Sequence, residues 1–196
     1  MTGDVEGMRR AFKDWDPALW TVVGAVEKCL KWKMCHMEEL EKWIKGNVAL
    51  LGDACHPTLP YQAQGAAMAV EDGAVLGVLL GQWAKSTAVR DKSPSRLHDV
   101  LQLYESIRKK LTTLQYEGAV QTWKLFQIES SPERKARDRE LKNIDWEAED
   151  NGCTWSYGNT KYQKTLVGFD CVLDARDKFK IWEGKFKDVE FQAEWT

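Results

Sequence analysis

The chain has 196 residues, 43% hydrophobic and 30% charged, which is enough for a sizeable core in a globular protein. Its net charge of −2 supplies no general attraction to nucleic acid or to anionic membrane. The first ten residues carry Asp4, Glu6, Arg9 and Arg10 without an apolar run, so no secretory signal is expected. Cys29, Cys35, Cys55, Cys153 and Cys171 are odd in number and lack CxxC spacing, and so read as free thiols of a cytoplasmic protein.

The order of elements begins with a short helix over 4–12, with Met8 and Phe12 four apart. Asp16-Pro17 is a cap followed by a proline at the first helical position, which predicts a second helix to about Leu30 with Leu19, Val22, Val23, Val26 and Leu30 inward. Lys31 to His36 alternates, with Trp32, Met34 and His36 on one face, and predicts a strand with one wet side. Gly46-Asn47 is a turn pair, and Val48 to Leu51 has the length and bounds of a buried strand.

Gly52 and Asp53 follow where that strand should end. A loop rich in Pro, Gly and Gln then leads to a helix from Ala66 to Trp83, apolar on nearly all sides except at Glu71, Asp72 and Gln82. A strand, a carboxylate at its end, a glycine loop and a helix start form a ligand site in open α/β sheets. Gly52 would let a ligand approach the backbone, Asp53 can accept hydrogen bonds from a polyol, and Gly65 and Ala66 offer unpaired N–H groups to an anion. An ordinary crossover with a solvated aspartate and turn-serving glycines fits the same spacing.

Beyond a polar loop at 87–93, Ser93-Pro94 caps a long helix with Leu97, Val100, Tyr104, Ile107, Leu111, Leu114 and Gly118 at alternating three and four spacing. Ser130-Ser131-Pro132-Glu133 opens a charged helix to about Asn143 with a solvated face. From Asn151 onward an irregular tail is expected. Trp155, Tyr157, Phe169, Phe179, Trp182, Phe186 and Trp195 would anchor it to the body. His36 and His98 have no partners at metal-ligand spacing, and no metal site is predicted.

The string GDACHPTLPYQAQGAAMAVEDGAVL resembles the second FAD-binding motif of single-component FAD-dependent aromatic monooxygenases, the salicylate hydroxylase-like and para-hydroxybenzoate hydroxylase family. Gly52, Asp53, Ala54, His56, Pro60, Gln64, Gly65, Glu71 and Asp72 match its pattern. Cys55 replaces an Ala, and Ala63 stands where many members have Gly. Tyr104, Glu105 and Arg108 match a Y-E-x-x-R pattern on the following helix, and read as packing and surface ion pairs.

The resemblance implies FAD contacts at Gly52, Asp53, Ala54, Pro60, Gln64, Gly65, Ala66 and Ala67, with Asp53 on the ribityl chain and the helix start facing the flavin pyrimidine. It implies NAD(P)H as reductant, oxygen as oxidant and a small aromatic substrate. No catalytic residue is assigned: His56 reads as shaping the loop rather than as a base, and Cys55 as a small buried hydrophobe.

The expected fold is α+β, mostly helical. It corresponds to the C-terminal portion of that monooxygenase fold without the N-terminal Rossmann βαβ unit, since no G-x-G-x-x-G occurs. The expected division is 1–45 as a remnant of the substrate-domain edge, 46–128 as the FAD-binding segment, and 129–196 as charged helix and aromatic tail. Self-association or a partner chain would supply the other half of the flavin site. Two other readings stay open: a non-catalytic interaction module, and a small flavin-independent enzyme reusing the pocket around His56 and Asp53.

Overall fold

The computed structural model describes residues 2–129 and 131–193, and the chain divides into one unit ending at Cys35 and another beginning at His36. The described residues are mostly helical with a small β component, as the pattern predicts.

In the first unit α1 spans Val5–Ala11 and α2 spans Pro17–Gly24. Asp16 caps α2 by accepting the Ala18 N–H at 2.8 Å. The helix stops six residues short of the predicted end. Gly24 is a poor helix former, and the Arg9 guanidinium takes the carbonyls of Gly24 (2.9 Å) and Val26 (3.1 Å). The predicted inward face is not inward: Leu19, Val22 and Leu30 are exposed. The strand predicted over Lys31–His36 is also absent. Alternation makes a strand only when a neighbour accepts its backbone bonds, and among the described residues none lies alongside; Trp32 and Met34 are exposed.

The second unit opens with a hairpin, β1 (Ile44–Lys45) antiparallel to β2 (Val48–Ala49), turned at Gly46 with φ +57°. The predicted buried strand is therefore only a hairpin arm of two residues, with Val48 exposed. Trp43, fully buried beside it, extends the ladder by accepting the Leu50 N–H at 3.0 Å.

Helix α3 (Gly65–Lys85) is the centre of the unit. Met68, Asp72, Val75 and Leu79 lie at 4, 3, 4 spacing and face inward, all with no exposed surface. Each of the three apolar ones contributes about 1.5–3 kcal/mol by leaving water. Against this face pack α4 (Pro94–Gln127) and α7 (Cys171–Ala193). Ser93 caps α4 through its hydroxyl, and Val100, Tyr104, Ile107 and Leu111 are buried as the spacing predicts.

Helix α5 (Pro132–Lys142) is capped by Ser131 at the Arg134 N–H and buries no residue; Ser130 lies outside the described residues. The tail is not irregular. Asn159 caps α6 (Thr160–Val167), and Asp170 accepts the Leu173 N–H at the start of α7. Ala175, Phe179, Trp182 and Phe186 repeat at helical spacing. Phe179 is buried in the main core with Trp182 packed beside it. These two aromatics anchor the tail; Trp195 lies outside the described residues.

Candidate functional site

The end of the hairpin and the start of α3 meet around one short turn. Gly52 takes φ +58°, a left-handed conformation that only glycine adopts freely, and a Cβ there would sit 3.0 Å from that of Ala69. The chain then folds back on itself: the Cys55 and His56 N–H groups both donate to the Gly52 carbonyl at 3.0 Å. This leaves Asp53 and Ala54 exposed at the tip. Among the described residues no hydrogen bond or ion pair engages the Asp53 carboxylate.

A cleft of about 520 Å³ opens at this tip, lined by Leu51, Gly52, Asp53, Thr58, Pro60, Ala63, Gly65, Ala66 and Ala69. Of the residues expected at a cofactor site, Gly52, Asp53, Pro60, Gly65 and Ala66 come together on its walls. Ala54, Gln64 and Ala67 flank it without lining it.

Helix α3 starts at the cleft without a side-chain cap. Gln64 occupies the cap position and its amide makes no capping bond, so the N–H groups of the first turn remain available. An exposed carboxylate that can accept from hydroxyls and an uncapped helix start that favours negative charge thus share one cleft. This donor and acceptor set fits a flavin's polyol and its anionic ring edge.

The loop between them is held rigidly. Tyr162 donates to Gln62 Oε1 at 2.9 Å, reaching it past Gly118, where a side chain would collide with the phenol. Ala63 takes φ +52°, a left-handed conformation that favours glycine, the residue expected at this position in many members of the resembling family.

Beneath the turn lies a buried ionic cluster that sequence reasoning missed. Asp72, with no exposed surface, accepts the Gly52 N–H at 2.8 Å and contacts His56 Nε2 at 2.6 Å, both through Oδ2. Its Oδ1 accepts Arg108 Nε at 2.7 Å. Arg108 is also fully buried, so its reading as a surface ion pair is corrected. Its Nη1 comes within 2.7 Å of Glu71 Oε2, close enough for Coulomb attraction but outside hydrogen-bond angles. The signal was present in the matching E-D and Y-E-x-x-R patterns, but they come from separate helices.

Burial pushes the Asp72 carboxyl up, while hydrogen bonds from His56, Arg108 and Gly52 outweigh that push and hold it below its ordinary value. Burial, with the Asp72 charge nearby, pushes the Cys55 thiol up to about 12. Cys55 is fully buried, an inert packing group rather than a reactive thiolate. His56 packs tilted against Trp43, with ring centroids 5.2 Å apart, and faces Asp72; it does not line the cleft. Tyr104 donates to the Leu50 carbonyl at 3.1 Å, two residues before Gly52.

Residues 18–113 match the FAD binding domain family. Over 174 residues the chain is 36% identical to the FAD-dependent monooxygenase OpS4 of Beauveria bassiana, covering 88% of this chain and 38% of that protein. This chain belongs to the FAD-dependent monooxygenases. It is 48% identical over 71 residues to a 6-hydroxynicotinate 3-monooxygenase of Pseudomonas fluorescens, 36% of this chain and 18% of that one. It is 29% identical over 158 residues to a 3-amino-4-hydroxybenzoate 2-monooxygenase of Streptomyces cremeus, covering 81% and 37% respectively. The chain spans well under half the length of each of these monooxygenases. Among the described residues no helix is long and apolar enough to cross a membrane.

Proposed function

We propose that this chain carries the flavin-facing part of a cytoplasmic aromatic hydroxylase that uses NAD(P)H and oxygen. The observation that carries the reading is the unengaged Asp53 carboxylate sharing a cleft with the uncapped start of α3. When bound, FAD supplies the redox chemistry, and the chain's own residues bind and orient it. Asp53 accepts from the ribityl hydroxyls. The N–H groups at Gly65, Ala66 and Ala67 favour the negative charge that reduction leaves on the flavin ring. Pro60 and Gly52 shape the walls, and Gln64 and Ala54 flank them. The similarity to a 6-hydroxynicotinate 3-monooxygenase and a 3-amino-4-hydroxybenzoate 2-monooxygenase supports a small aromatic substrate.

The contacts in this cleft are few. Helix-start interactions contribute about 0.3–1 kcal/mol each when exposed. A hydrogen bond to the Asp53 carboxylate adds about 1.5–3 kcal/mol. Together they hardly exceed the lowest cost of immobilising a ligand, about 4 kcal/mol. A second contributor, in the same polypeptide or in a partner chain, therefore holds the rest of FAD, in keeping with the absence of a G-x-G-x-x-G turn from this sequence. One face of α3, formed by Ala66, Val70, Gly73, Gly77 and Gly81, is exposed from end to end and supports such a contributor, or a second copy, in this role.

The test is a titration of the purified chain with FAD, followed by an NADPH-oxidation assay with simple phenols. FAD binding weaker than micromolar is expected, without phenol-dependent NADPH consumption. Asp53→Ala should weaken FAD by about 10- to 100-fold. Absence of any FAD binding, or an unchanged affinity in Asp53→Ala, overturns the proposal.

A further inference from the structure

Asp72 does more than neutralise Arg108. Its Oδ2 touches both ends of the turn that carries Asp53: the Gly52 N–H at 2.8 Å and His56 Nε2 at 2.6 Å. Its Oδ1 is fixed to Arg108 Nε at 2.7 Å, so the carboxylate cannot rotate without breaking a buried charge-assisted bond. An ionised carboxylate only accepts, so His56 presents its Nε2–H to it. The turn Gly52–His56 is closed by one buried group, and Asp53 projects from it into the cleft.

Asp72 itself belongs to α3, whose start forms the opposite wall of the cleft. One residue therefore ties the carboxylate wall to the helix wall. We infer that Asp72 is a positioning residue: by clamping Gly52 and His56 it holds Asp53 at the spacing from the α3 start that FAD requires.

This inference rests on the flavin reading above, and a double-mutant cycle separates the two. FAD affinity is measured by NMR titration for the wild type, Asp72→Asn, Asp53→Ala and the double variant. Asp72→Asn keeps an acceptor oxygen but cannot satisfy Gly52, His56 and Arg108 together. It is expected to weaken FAD by about tenfold alone and by less than about twofold in the Asp53→Ala background. A purely structural role would produce equal losses in both backgrounds, and that result overturns the inference.

Should Asp72→Asn fail to fold, His56→Gln removes one end of the clamp and is read by the same cycle, with the same two outcomes. A second readout is independent of ligand. The Gly52 amide is expected to exchange slowly and to resonate downfield in the wild type, and to lose both features in either clamp variant together with a shift of the Asp53 amide. An unmoved Asp53 amide overturns the positioning role. A wild type that never binds FAD overturns the proposed function instead, and the amide measurement then decides the clamp alone.

Discussion

Asp53 and Asp72 lie on one continuous stretch of chain and have opposite surroundings. Asp72 has no exposed surface and meets a backbone N–H, an imidazole and a guanidinium. Asp53 is exposed and no protein donor engages it among the described residues. An ion in the interior persists only when its desolvation is offset by partners, and every oxygen of Asp72 is accordingly in use. An exposed carboxylate at the tip of a rigid turn is under no such demand and remains free to meet a ligand. The two residues divide the work of the motif: one fixes the geometry, the other presents it.

The largest expected effect tests the interior half of this comparison. Arg108→Met leaves Asp72 buried with its guanidinium partner removed. Breaking a buried pair in this way costs about 3–5 kcal/mol. Urea unfolding should show a loss of that size, whereas Asp53→Ala should change stability by less than about 0.5 kcal/mol. Comparable losses for the two variants would end the distinction between them.

Acid provides a second, smaller lever. The folded-state value of the Asp72 carboxyl lies below its ordinary 3.8, so its ionised form stabilises the fold. That contribution is fully present well above 3.8. It disappears as pH falls from there through the lower folded value, where the folded state too must take up the proton. The stability difference between wild type and Asp72→Asn should therefore be constant near neutrality and shrink below about pH 3.8. Unfolding curves between pH 7 and 3 measure it. A difference that grows on acidification would mean that burial, not the partners, governs Asp72.

Much of this arrangement was legible in the residues, and the illegible parts share a cause. The caps at Asp16, Ser93 and Ser131 and the period of Val100, Tyr104 and Ile107 are local signals, and they located α2, α4 and α5. The turn at Gly46 and the cleft walls at Gly52, Asp53, Gly65 and Ala66 were readable for the same reason. The burial of Arg108 depends on a partner thirty-six positions away and has no local signature. The Lys31–His36 alternation promised a strand, but a strand needs a neighbour that local pattern cannot supply. Helix α7 is a different failure. The 4, 3, 4 spacing of Ala175, Phe179, Trp182 and Phe186 is a helical period, legible only when these residues are taken together rather than as separate anchors.

The smallest effect concerns the outer face of α3, where the same helix that buries Asp72 exposes Gly73, Gly77 and Gly81. Glycine within a helix destabilises it by about 1 kcal/mol relative to alanine, and nothing stands within 4 Å of a Cβ built at any of the three. In the isolated chain these glycines are thus a cost without a packing return. Gly77→Ala should raise stability by about 0.5–1 kcal/mol, because the helical backbone accepts alanine without strain and the unfolded chain loses freedom. Thermal unfolding of the monomer checks this. The same substitution is informative about the companion of this face. If a second element packs closely there, a methyl group at Gly77 should hold the two backbones apart, and the variant should associate more weakly while being the more stable monomer. Sedimentation of wild type and variant, alone and with a candidate companion chain, reads that sign. A variant that is more stable and associates equally well would mean that α3 docks by another face.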